Sequence, residues 1–163
     1  MRPFLAASFI LFLFASPAHA TLFNLSSSID GAQAGNGSAA SGSATLTFDD
    51  VTNVFAWSGI FSGLDGDYAA SHFHGPAAPG EGAGVRLAFS VDLDAENRSG
   101  TFGGDSVIGA AFGAEVLAGR WYINIHSAEF SGGEIRGQVV PEPGTALLLG
   151  LGMLGLSLRR SVR

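Results

Sequence analysis

A chain of 163 residues has room for one domain of ordinary size, and the absence of cysteine excludes a disulfide-stapled scaffold. The net charge is −6 and there is no lysine; between Thr21 and Val140, thirteen acidic residues stand against four arginines (Arg86, Arg98, Arg120, Arg136), a net charge of −9. A surface of that sign repels phosphate backbones and excludes nucleic acid as a partner.

In chain order, the first segment is a targeting signal rather than a structural element. Arg2 precedes an apolar run from Phe4 to Ala15, and Ala18-His19-Ala20 is a small-x-small cleavage pattern. The run is short for a bilayer span and carries the flanks of a secretory signal peptide. Residues 1–20 are therefore expected to be removed, with one β domain over 21–140.

Within that domain the apolar pattern has period two and no convincing helical period. Thr21–Ser28 reads as an edge strand, and the Gly/Ala/Ser-rich stretch Asp30–Ser43 as a flexible loop. Leu46 and Phe48 share one side of a strand over Ala44–Phe48. Val54–Phe61 is apolar on both faces and ends at the turn-rich Gly63–Asp67. Gly84–Val91 alternates cleanly as a single strand, with Val85, Leu87, Phe89 and Val91 inward and Arg86, Ser90 and Asp92 outward. Ser106–Ala118 allows a short helix. Over Arg120–His126, Trp121, Ile123 and Ile125 share one face, and Tyr122, Asn124 and His126 the other. In Glu134–Val140, Ile135 and Val139 oppose Glu134, Arg136 and Gln138. Six to eight short strands of this kind predict an all-β fold, an antiparallel Greek-key-like β-sandwich or small barrel, followed by a C-terminal hydrophobic helix.

Residues 141–163 have three parts: Pro141-Glu142-Pro143, an apolar run Thr145–Leu158, and a basic end at Arg159, Arg160 and Arg163. The run makes a helix of about 21 Å, shorter than the roughly 30 Å hydrocarbon core, so the flanks decide its reading. A proline break before it and arginines after it suit a helix held with its basic end in the cytoplasm. In order and position these parts resemble the PEP-CTERM sorting signal. The resemblance implies a Gram-negative exported protein bound for the cell envelope, cell surface or extracellular polysaccharide matrix. It also implies processing by signal peptidase and an exosortase, with a tail transiently in the inner membrane.

Two further stretches carry the candidate chemistry: His72-Phe73-His74-Gly75-Pro76-Ala77, and Tyr122–His126 followed by Gly133-Glu134-Ile135-Arg136-Gly137-Gln138. Together, in this order, they resemble the CHRD domain, first described in chordin. The family often has proline shortly before the GEIRG segment, where this chain has Ser131-Gly132. The resemblance implies an all-β fold and little defined chemistry, so the leading expectation is a non-enzymatic binding or matrix module, with extracellular polysaccharide or surface proteins as partners.

The residues allow a sharper reading. In a strand His72 and His74 point to one face, opposite Phe73, and His126 lies opposite Ile123 and Ile125. Two imidazoles at i, i+2 and a third from a neighbouring strand can hold copper or zinc, so the alternative to a non-enzymatic module is a metal-binding or redox protein using His72, His74 and His126. The other reading has the same histidines bonding to each other and to the Gly75–Gly84 loop. Tyr122, Asn124, Glu134 and Arg136 are binding candidates, although a Glu134–Arg136 pair also reads as a solvated ion pair worth under about 1 kcal/mol.

Other matches lack their context. Gly150–Gly155 fits G-x-G-x-x-G inside the apolar tail, with no strand before it. Asp92–Glu96 lacks the glycine and closing glutamate of a calcium loop. Ser71 and Ser127 each adjoin a histidine, but strand neighbours point to opposite faces, so neither makes a serine–histidine pair.

Overall fold

A computed structural model describes residues 21–143. Ten strands and two short helices follow one another along the chain. They are β1 (Leu22–Asp30), α1 (Gly31–Ala34), β2 (Ser41–Asp49), β3 (Val54–Ser62), β4 (Tyr68–His74), β5 (Val85–Ala88), β6 (Val91–Leu93), β7 (Gly100–Val107), α2 (Gly109–Leu117), β8 (Tyr122–Ser127), β9 (Ile135–Gln138) and β10 (Val140–Pro141). Every strand pairing is antiparallel, and the strand order is β5-β4-β8-β9-β1-β2-β3-β7-β6, with β10 added to β1. The fold is all-β, a single sheet curled into a half-barrel.

The apolar side of each alternating strand lines the inside of the curl. Leu25 and Ile29, Leu46 and Phe48, Phe55, Trp57 and Phe61, Phe73, Phe102, and Trp121, Ile123 and Ile125 are all buried there. Their rings form a chain of tilted and edge-on contacts. Phe73 lies 5.1 Å from Phe55 and 5.2 Å from Trp57, and Trp121 lies 5.7 Å from Phe55. Each such side chain contributes about 1.5–3 kcal/mol through burial, which replaces the missing disulfides.

Several strand expectations are corrected. Gly84–Val91 is not one strand. It breaks at Phe89-Ser90, and its halves pair at opposite ends of the sheet, β5 on β4 and β6 on β7. Val85 is 54 % exposed and only Phe89 of the four expected inward residues is buried. Phe89 sits where the two ends meet: its ring is 5.0 Å from Phe73 of β4 and 5.0 Å from Phe102 of β7. Its carbonyl accepts a 2.7 Å bond from Ser71 Oγ.

β1 is not an edge strand, because the returning chain places β9 and β10 beside it, opposite β2. Nor is Asp30–Ser43 a loop throughout. β1 runs to Asp30, whose Oδ1 accepts from Gln33 N–H at 2.8 Å and caps α1, and β2 begins at Ser41. On β3 only one face is covered, and Ile60 is 58 % exposed. The short helix expected within Ser106–Ala118 is α2. The leader 1–20 and the apolar run Thr145–Leu158 lie outside the described residues, and among those described no helix is long and apolar enough to cross a membrane.

A three-histidine cluster under the Gly75–Gly84 loop

The register of β4, β8 and β9 builds the site. His72 pairs with Asn124, His74 with Tyr122, and Ala70 with His126; on the other side of β8, Asn124 pairs with Arg136 and Tyr122 with Gln138. Because Phe73, Ile123 and Ile125 face the core, alternation puts the three histidines, Tyr122, Asn124, Arg136 and Gln138 on the outer face. That much follows from sequence.

The outer face is not open to solvent, however. The Gly75–Gly84 loop folds back over His74, Tyr122, Arg136 and Gln138 and the Ser131–Gly133 segment over Asn124, all five of them buried, while His72 and His126 are half-buried. Arg136 Nη1 donates to Glu81 O at 2.6 Å and Nη2 to Ala78 O at 3.3 Å. Gln138 Nε2 donates to Ala77 O at 3.1 Å and to Gly119 O at 2.7 Å. The Tyr122 hydroxyl accepts from Ala83 N–H at 3.0 Å.

One ring nitrogen from each of His72, His74 and His126 lies within 4.8 Å of the other two. The outer nitrogens are committed to backbone carbonyls. His74 Nδ1 is 2.9 Å from Ala83 O, and His126 Nδ1 is 2.9 Å from Ser131 O. A carbonyl only accepts, so each of these nitrogens carries the proton and each Nε2 presents a lone pair. His126 Nε2 stands 3.4 Å from His72 Nδ1 and 3.3 Å from the Asn124 amide nitrogen. His74 Nε2 is buried and has no partner.

Burial is the main force lowering the His72 and His74 pKa values below 6.5. For His72 the neighbouring His126 and His74 add to it. For His74 the bond to Ala83 opposes it, while His126 and Arg136 reinforce it. Both imidazoles are thereby held neutral, the form that ligates metal. The His74 ring stacks on Tyr122 at 5.1 Å and 13°, and the Arg136 guanidinium lies over the same Tyr122 ring, 3.5 Å from its centroid.

The Glu134–Arg136 ion pair does not form, because different loops cover the two residues. Arg136 is spent on the Gly75–Gly84 loop. Glu134 is fully buried beneath two others: its Oε1 accepts from Ser38 Oγ at 2.7 Å and from Asp65 N–H at 2.6 Å. Burial alone would raise its pKa, but the polar groups around it, the Ser38 and Asp65 donors among them, together hold it below the usual carboxylate value. Glu134 thus braces the fold at a distance from the imidazole chemistry. Gln138, Ser38 and Asn36 were not singled out from sequence. Gln138 could have been found from its alternation with Arg136; the other two sit in a Gly/Ala/Ser stretch without periodicity.

At the end of the domain, Pro141 pairs with Leu25, and Glu142 N–H donates to Asn24 O at 2.9 Å, so Pro141-Glu142-Pro143 leaves directly from the sheet. Arg159 and Arg160 lie outside the described residues.

The curled antiparallel sheet, with the H-x-H strand beside the strand that carries His126, defines a β module with one polar, loop-covered face. A family model described as the CHRD domain matches residues 25–139, and the chain belongs to the CHRD domain family. A second model, described as the PEP-CTERM protein-sorting motif, matches residues 139–161. No curated protein matches the chain. The motif marks an exported protein of the Gram-negative cell envelope, handled by exosortase-type sorting machinery.

Proposed function

We propose that the chain is a surface-displayed binding module rather than an enzyme, and that His72, His74 and His126 bind one copper or zinc ion. In this reading residues 1–20 are removed on export and a module over 21–140 is delivered through the tail at 141–163. The tail lies transiently in the inner membrane, and the delivered module faces the polysaccharide matrix and its surface proteins.

The observation that carries the metal assignment is the buried His74 Nε2. Its lone pair has no partner, and its ring cannot turn without breaking the Nδ1 bond to Ala83 O. A buried, unsatisfied acceptor costs about 1–3 kcal/mol, and an ion bound to it removes that cost. One of the three spacings fits as it stands, the widest separation among the three nitrogens being 4.8 Å. Zinc–nitrogen bonds of about 2.0–2.1 Å in tetrahedral geometry place two nitrogens about 3.3 Å apart, and His72 Nδ1 and His126 Nε2 are 3.4 Å apart. A non-catalytic role is supported by Ser71, whose Oγ is bonded to Phe89 O and Tyr68 on the core side, away from the imidazoles.

Metal analysis of the purified chain, with His74→Ala beside it, tests the assignment. One equivalent of copper or zinc, lost in the variant, is expected. An absence of stoichiometric metal in both proteins, after incubation with either ion, sinks the metal reading. Envelope fractionation tests the display: intact precursor accumulating in the cytoplasm would refute it.

A further inference from the structure

We infer that Tyr122 is a positioning residue for the three-histidine site, acting through the backbone of Ala83; the metal-binding consequence rests on the reading above, and the tautomer consequence does not. Ala83 is held at both of its backbone polar groups. Its N–H donates to the Tyr122 hydroxyl at 3.0 Å, and its carbonyl accepts from His74 Nδ1 at 2.9 Å. Ala83 lies between Gly82 and Gly84, so neither neighbour has a side chain to anchor this part of the loop. What fixes Ala83 is therefore the Tyr122 bond, the 3.2 Å bond between Gly75 N–H and Gly84 O, and the grip of Arg136 on Ala78 O and Glu81 O.

The hydroxyl does more than hold the loop. The Ala83 carbonyl is what forces the proton onto His74 Nδ1 and leaves Nε2 free for the ion. If Ala83 drifts, His74 Nδ1 loses its acceptor. Neither nitrogen then has a partner that fixes the proton, so it is shared between Nδ1 and Nε2, and wherever it sits on Nε2 that nitrogen is cancelled as a ligand. Tyr122 thus sets which His74 nitrogen is available without touching the ion. The packing of its ring against His74 and the Arg136 guanidinium fixes the orientation of the hydroxyl.

Tyr122→Phe separates these roles, since it keeps both ring contacts and deletes only the oxygen. The test uses the full chain and zinc. Long-range proton–nitrogen NMR of the metal-free protein should find His74 protonated on Nδ1, and Tyr122→Phe should give a mixture of tautomers. Zinc affinity should fall about tenfold, the lower end of what removal of an outer hydrogen-bond partner of a ligand costs. Tyr122→Phe with an unchanged His74 tautomer and zinc affinity within twofold of the parent overturns the inference. So does a parent chain whose His74 carries its proton on Nε2, whatever the variant does. A parent chain that binds no zinc but shows the Nδ1 tautomer, lost in Tyr122→Phe, removes the metal reading and leaves the positioning role intact.

Discussion

Ser38 and Glu134 are 96 residues apart in sequence and joined by a 2.7 Å hydrogen bond, the half-buried Ser38 Oγ donating to Oε1 of the fully buried Glu134. The same oxygen accepts from Asp65 N–H, and the Glu134 carbonyl accepts from Asn36 Nδ2 at 2.9 Å. One carboxylate therefore fastens two otherwise aperiodic loops to the strand that carries Arg136. Glu134→Gln is expected to destabilise the fold by about 1–3 kcal/mol, because the charge that strengthens the bonds from Ser38 and Asp65 is lost. Urea unfolding at neutral pH reads this directly.

The same group gives the fold an acid limit. The Glu134 pKa is lowered in the folded state, so its contribution is present in full above the ordinary carboxylate value of 4.5 and is lost as pH falls through the lowered native value. The stability gap between the parent and Glu134→Gln should narrow on acidification through that window. A gap that stays constant from pH 7 to about pH 3, in the range set by ordinary carboxylates, would contradict the role assigned to Glu134.

For the metal site the sign also follows from the shifts. The His72 and His74 values are depressed below 6.5, first by burial. Protons therefore compete for these nitrogens only at pH values below that of a free imidazole. Zinc should stay bound as pH is lowered through 6.5 and be released below it, measured by competition with a chromophoric chelator. Release already complete at pH 6.5 would count against the site.

Gly133 has φ of 118°, and a Cβ there would run into the Asn124 side-chain amide. Gly133→Ala should displace Asn124 from Gly132 O, lowering stability by about 1–3 kcal/mol for the strained backbone. Thermal unfolding reads this: a variant that retains the parent's stability would show that Gly133 is not required.

For the tail, alanine at Arg159 and Arg160 should leave precursor unprocessed in the membrane fraction, since the basic end orients such a helix. Immunoblotting of fractionated cells reads the precursor-to-mature ratio, and an unaltered ratio would exclude that role.

How much of this was legible varies with the physics of each element. Alternation around Phe73 and Ile123–Ile125 was enough to place His72, His74 and His126 on one side of the sheet, because strand geometry is local. The burial of that side was not legible: the loop that covers it is built of glycine, alanine and proline, and backbone carbonyls hold it down without any side-chain periodicity. The split of Gly84–Val91 was hidden for another reason. Its alternation continues through the break, and nothing in a strand's own pattern says which neighbour it will pair with. Glu134 looked solvated because charge usually is; its burial depends on Ser38 and Asp65, distant residues that only the tertiary fold brings near.

Phe89 and Ser90 carry one last consequence. With β5 and β6 consecutive in the chain yet occupying the two margins of the sheet, the ring is shut by covalent bonds where a closed barrel uses a row of inter-strand hydrogen bonds. From Ala88 to Val91 the chain can span at most about 11 Å, so the margins are leashed together however the sheet breathes. A protease cut at this clasp would leave every hydrogen-bonded strand pairing untouched and still free both margins, turning a self-contained curl into a sheet with two open sides ready to join another copy.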